Sequence, residues 1–104
     1  MSCNADLSHS ITLADGAELT ARYREQMTAG QIKGGFFGKE ALMRILEQEG
    51  CTGIKYYYGL DASDRQVLVL VGAESTCDDM VEGELAEISL PCPDYCGTPN
   101  VLNS

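Results

Sequence analysis

The chain has 104 residues, 44% of them apolar, and a formal net charge of −9. That is the size of one domain, too apolar for a disordered chain and too short for a second independent core. Residues 1–60 hold seven acids and six bases, whereas residues 61–104 hold nine acids and one base, Arg65; an acidic second half disfavours nucleic acid and anionic membranes and leaves a basic partner, a cation or plain solvation.

No segment approaches the ~20 apolar residues of a membrane span. The N-terminal ten residues lack the basic and apolar regions of a secretory signal, so the cytoplasm is the expected compartment. The five cysteines are Cys3, Cys51, Cys77, Cys92 and Cys96. An odd number in an unexported chain reads as free thiols.

Residues 1–10 are polar and read as a flexible lead-in to a core over 11–90. A first helix is predicted from Thr12, with Thr12 as N-cap and Asp15 favourably placed in the first turn. Leu19, Tyr23 and Met27, spaced by four, form its apolar stripe, with Ala17 and Ala21 packed beside it; Arg22 and Arg24 point elsewhere. The helix fades near 28–30. A connection with Gly30, Gly34, Gly35 and Gly38 carries Phe36 and Phe37, either an aromatic grip for a ligand or a core plug. Gly34-Gly35 with Gly38-Lys39 is not a phosphate loop: Glu40 stands where a hydroxyl is needed.

A second helix is predicted over 39–49. Leu42, Ile45 and Leu46 form its inner face, Gln48 lies on the solvated side, and Glu40 and Arg44 are spaced for an ion pair. Gly50 is a left-handed cap and Cys51 a small buried hydrophobe. From Gly53 the period changes to two. Ile54, Tyr56 and Tyr58 share one face, Lys55 and Tyr57 the other. A polar turn at 61–66 leads to Val67–Val71, which reads as a strand buried on both faces and ended by Gly72, so the two strands form an antiparallel hairpin. Residues 85–90 are a candidate third strand. Residues 91–104, with Pro91, Pro93 and Pro99, read as a tail that is neither helix nor regular strand.

Cys92 and Cys96 are the distinctive pair. They are structural thiols, a disulfide, or a metal or redox site; a zinc centre would need two more ligands from Cys77, Cys51, Cys3 and His9. Asp78, Asp79, Glu82 and Glu84 around Gly83 suggest a cation loop but miss the EF-hand spacing. His9 is the only histidine and lies in the lead-in, so no nucleophile has an adjacent base, and no catalytic residue is assigned. Among Tyr56, Tyr57 and Tyr58, at least one ring must leave the core, and exposed tyrosine suits protein interfaces.

Tyr58-Gly-Leu-Asp61, Leu70-Val-Gly72, Asp79-Met80 and Leu90-Pro-Cys-Pro-x-x-Cys96 resemble a set of small bacterial proteins of the Bacteroidota type. The resemblance implies a single design of N-terminal helix, central hairpin and Cys-Pro-x-x-Cys tail, with no activity to carry over. The sequence therefore predicts one α+β domain: two helices packed on a small antiparallel sheet, with an extended C-terminal tail. Its expected role is a non-enzymatic interaction or accessory module without cofactor, binding a protein partner or a second copy through the strand of Tyr56, Tyr57 and Tyr58, the sheet edge or the acidic face. The alternative is a zinc or redox site at Cys92 and Cys96.

Overall fold

The computed structural model describes residues 2–87 and 90–104. In chain order its elements are α1 (Leu13–Glu25), β1 (Gly34–Phe36), α2 (Lys39–Leu46), β2 (Gly53–Leu60), β3 (Gln66–Ala73), β4 (Leu85–Ala86) and β5 (Leu90–Cys92). The α+β class is thus as the sequence predicts. The chain packs as two compact units, Met1–Ser8 with Phe37–Ser89 and His9–Phe36 with Leu90–Ser104.

The first unit is built on the hairpin. β2 and β3 pair antiparallel from Gly53↔Ala73 to Leu60↔Gln66. The turn is held by the Asp61 carboxylate, which accepts from the Ser63 and Arg65 amides at 2.8 and 2.9 Å and from Arg65 Nε at 3.1 Å. The Arg65 amide foremost, with that of Ser63 and the guanidinium, holds the Asp61 carboxyl below its usual range. β3 runs one residue beyond the expected end at Gly72, and β4 is its second neighbour. Of the candidate third strand, residues 85–86 form β4, 88–89 lie outside the described residues, and Leu90 opens β5 instead.

α2 lies on β2 and β3. Its inner face is narrower than expected: Ile45 is buried and Leu42 half-buried, but Leu46 and Met43 are exposed. Gly50 takes the expected left-handed conformation at φ 86°. Glu40 and Arg44 form no ion pair among the described residues, whereas Glu18 and Arg22 do at 2.8 Å. Such exposed pairs contribute so little that side-chain entropy decides.

Gln48, expected on the solvated side, bridges instead. Its amide donates to the Ile45 carbonyl at 2.8 Å and accepts from the Glu84 amide at 2.9 Å. This bridge crosses Gly72, where an added Cβ would stand 2.9 Å from Gln48 Nε2 and 3.1 Å from Cys51 Sγ. Gly72 is therefore required by close approach.

The lead-in is anchored, contrary to expectation. Cys3 is disulfide-bonded to Cys77, its amide donates to the Ser75 carbonyl at 2.9 Å, and its carbonyl accepts from Thr52 Oγ1 at 2.6 Å.

In the second unit Thr12 caps α1 as expected, accepting from the Asp15 amide at 3.1 Å. The stripe differs. Leu13, Leu19 and Tyr23 are exposed, and the half-buried positions are Gly16, Ala17, Thr20, Ala21 and Arg24. Small residues permit close packing, and Leu102 Cδ2 lies 3.5 Å from where a Cβ on Gly16 would stand. The Gly-rich connection and the tail, both expected to be irregular, pair as β1 and β5 with Gly34↔Cys92 and Phe36↔Leu90. Phe36 is exposed there, so it plugs no core; Phe37 is half-buried. Pro91 is tolerated because β5 belongs to a two-stranded ribbon, where each strand is an edge.

Candidate functional site

The interaction residues expected from the sequence lie on β2, and its side chains divide by parity. Ile54, Tyr56 and Tyr58 stand opposite Gly72, Leu70 and Leu68. This is the face that Gln48, just beyond α2, crosses at Gly72. At eight residues α2 is ~12 Å long, whereas the eight residues of β2 extend ~27 Å. The helix therefore covers less than half of the face. Beyond it Tyr56, Tyr58 and Leu60 are 58%, 70% and 69% exposed, forming an aromatic shelf continuous with the core. The Tyr56 and Tyr58 rings meet edge to face, centroids 5.8 Å apart, which fixes their orientation. Leu60 was missed by the sequence reading, although it continues the even series.

The backbone adds a second feature. The Asp61 amide donates to the Arg65 carbonyl at 3.0 Å, so odd-numbered positions of β2 face β3 in the ladder. Even-numbered positions such as Ile54, Tyr56 and Leu60 direct their backbone groups to the outer edge, which no strand adjoins among the described residues. Edge strands of this length are templates for a further strand.

The opposite face is already engaged. Asp79 accepts from Tyr57 Oη at 2.6 Å and pairs with Lys55 Nζ at 2.8 Å. Lys55 also donates to the Cys77 carbonyl at 3.0 Å. The hydrogen bond to Asp79 foremost raises the Lys55 pKa, and that from Lys55 foremost lowers that of Asp79. Both groups are pushed away from neutrality, the reverse of what acid–base chemistry requires. The cluster is a clamp on the 77–79 segment. Of the three tyrosines, Tyr57 is thus committed inward to Asp79, and Tyr56 and Tyr58 carry the shelf.

The thiols are not free as expected. Cys3–Cys77 and Cys92–Cys96 are bridged, with Cα atoms 5.1 and 4.7 Å apart. Cys51 is the remaining thiol, half-buried rather than buried, with Sγ 3.2 Å from the Gly53 carbonyl. While bridged, Cys92 and Cys96 offer no thiolate to a metal. No group of three or more His, Cys, Asp and Glu side chains is placed to hold one among the described residues. Asp78 accepts from Thr76 at 2.9 Å and Asp79 is held by Lys55, so the expected cation loop does not converge. No helix of the described residues is long and apolar enough to cross a membrane. Comparison with family models, with curated proteins and with solved structures finds no match.

Proposed function

We propose that the chain is a non-enzymatic protein-interaction module that docks a partner on the shelf and outer edge of β2. The observation that carries this reading is the uncovered run Tyr56–Tyr58–Leu60 on the core-facing side of an edge strand. Apolar side chains continuous with a core gain from being covered, and an extended segment added to β2 would pair its backbone while covering the rings. Tyrosine supplies large contact area at a small entropic cost.

The test pairs wild type with the double variant Tyr56→Ala, Tyr58→Ala in sedimentation and chemical cross-linking. The rings are exposed, so the variant keeps a near-wild-type melting temperature. It is expected to lose at least tenfold in affinity for the species, copy or partner, that wild type binds. Equal binding by both proteins, or a wild type that binds neither itself nor a partner, rejects the module.

The bridge between Cys92 and Cys96 favours a second reading, a thiol redox pair, over the zinc site. Cys92 is buried and Cys96 half-exposed, so one sulfur is accessible to an attacking thiolate. Elemental analysis of reduced protein separates the two: stoichiometric zinc bound only by the reduced form supports metal, and none supports redox. The two cystines also support an oxidising compartment in place of the cytoplasm.

A further inference from the structure

We infer that the second unit carries a binding site for a small oxyanion, a phosphate or carboxylate group, between Arg24 and Lys33. A cavity of about 300 Å³ lies there, lined by these two cations together with Met27, Thr28, Gln31 and Pro93, and by no acidic residue. In a chain of net charge −9 this is a local reversal of sign.

Among the described residues neither cation stands in an ion pair, unlike three others of the chain. Arg22, Lys55 and Arg65 are paired with Glu18, Asp79 and Asp61. Arg24 instead donates Nη1 to the Leu102 carbonyl at 2.6 Å, and Lys33 donates Nζ to the Asn103 carbonyl. These neutral acceptors orient the cations, and among the described residues no carboxylate bridges either of them. A guanidinium has five N–H donors and an ammonium three, so donors remain on each for the oxygens of an anion. Arg24 supplies a planar fork suited to two oxygens, Lys33 a point charge.

The lining is held in place. The Gln31 amide donates to the Thr28 carbonyl at 3.2 Å, and Gln31 Oε1 accepts from the Thr28 amide at 3.0 Å, closing the turn that carries Lys33. One effect opposes an anion: the cavity lies at the C-terminal end of α1, where helix carbonyls carry partial negative charge. The Gln26 and Met27 amides blunt it by donating to the Tyr23 and Arg24 carbonyls at 3.1 and 3.2 Å. Two full charges outweigh what is left.

The experiment is an amide NMR titration of the full chain with sodium phosphate and, separately, sodium succinate at constant ionic strength. Saturable shifts confined to 24–33 and the segment after Pro93 are expected. Saturation by phosphate alone assigns a phosphate site, and saturation by succinate alone a carboxylate site. Lys33→Gln and Arg24→Gln are each expected to weaken binding roughly tenfold, the low end for a hydrogen bond to a charged group. Lys33→Arg retains binding, and Lys39→Gln, a charge outside the cavity, leaves it unchanged. Shifts that stay linear with both salts, spread over the whole chain, or respond to Lys39→Gln as to Lys33→Gln overturn the site. The wild-type titration alone decides this if the glutamine variants fail to fold.

Discussion

Replacing Cys3 and Cys77 together by serine is expected to destabilise the protein by about 4 kcal/mol and lower its melting midpoint by roughly 15–30 °C. The size follows from chain entropy. The bridge joins residues 74 apart, so it removes a large set of open conformations from the unfolded chain. The same argument gives about 2 kcal/mol for Cys92–Cys96, whose cysteines are four apart. One native term works against the first bridge. Cys77 has φ 71°, a left-handed conformation that costs an L residue about 1–2 kcal/mol, and the loss on substitution is smaller by whatever part of this the unbridged chain relaxes. The Cys77 amide donating to Glu74 at 2.8 Å and the Lys55 ammonium on the Cys77 carbonyl help to hold that conformation. Intact mass first establishes the oxidised state, each bridge lowering the mass by two hydrogens. Calorimetry of the two double variants then ranks them. A Cys92→Ser, Cys96→Ser variant that loses more stability than the Cys3→Ser, Cys77→Ser variant would refute the loop-length argument.

What was legible in the sequence was what depends on neighbours along the chain. The period of two from Gly53, the polar turn at Asp61 and the cap at Thr12 are local patterns, and the structure keeps all three. What was missed depends on partners far away. Nothing local in Met-Ser-Cys3 points to Cys77, so the lead-in read as mobile and its thiol as free. Gly34-Gly35 and Pro91-Cys92 carry no strand signal, and each becomes part of a strand because the other is opposite. The stripe of Leu19 and Tyr23 obeyed helical spacing, yet both are exposed; α1 packs through Ala17 and Ala21, expected beside the stripe, and through Gly16, since small side chains allow closer approach. The shelf falls between these cases. Its alternation was readable, but its exposure follows from the shortness of α2, which the sequence reading extended to Glu49.

That shortness makes Ile45 the residue on which the first unit turns. A helix of eight residues has no stability of its own in water, because nucleation costs more than so few hydrogen bonds return. α2 is therefore formed by its contact with the sheet, and Ile45, 1% exposed, is its one buried side chain. Ile45→Ala is expected to cost about 2–4 kcal/mol, the loss of buried methyl groups together with the cavity left between α2 and the sheet. Leu46→Ala, one position on but half in water, should cost under about 1 kcal/mol. Ile45→Val removes one methylene and should fall between, at about 0.5–1.5 kcal/mol. Urea unfolding of the three variants measures the order. Equal losses at residues 45 and 46 would mean that α2 is not docked through Ile45. If the order holds, undocking has a consequence for the surface beside it. Gln48 follows α2 and spans Ile45 to Glu84, so a freed helix releases that bridge and uncovers the part of the β2–β3 face it shields. In Ile45→Ala the apolar shelf then lengthens from Tyr56 toward Ile54 and Leu70, and faster amide exchange at 45–48 and 83–85 than in Leu46→Ala would register it.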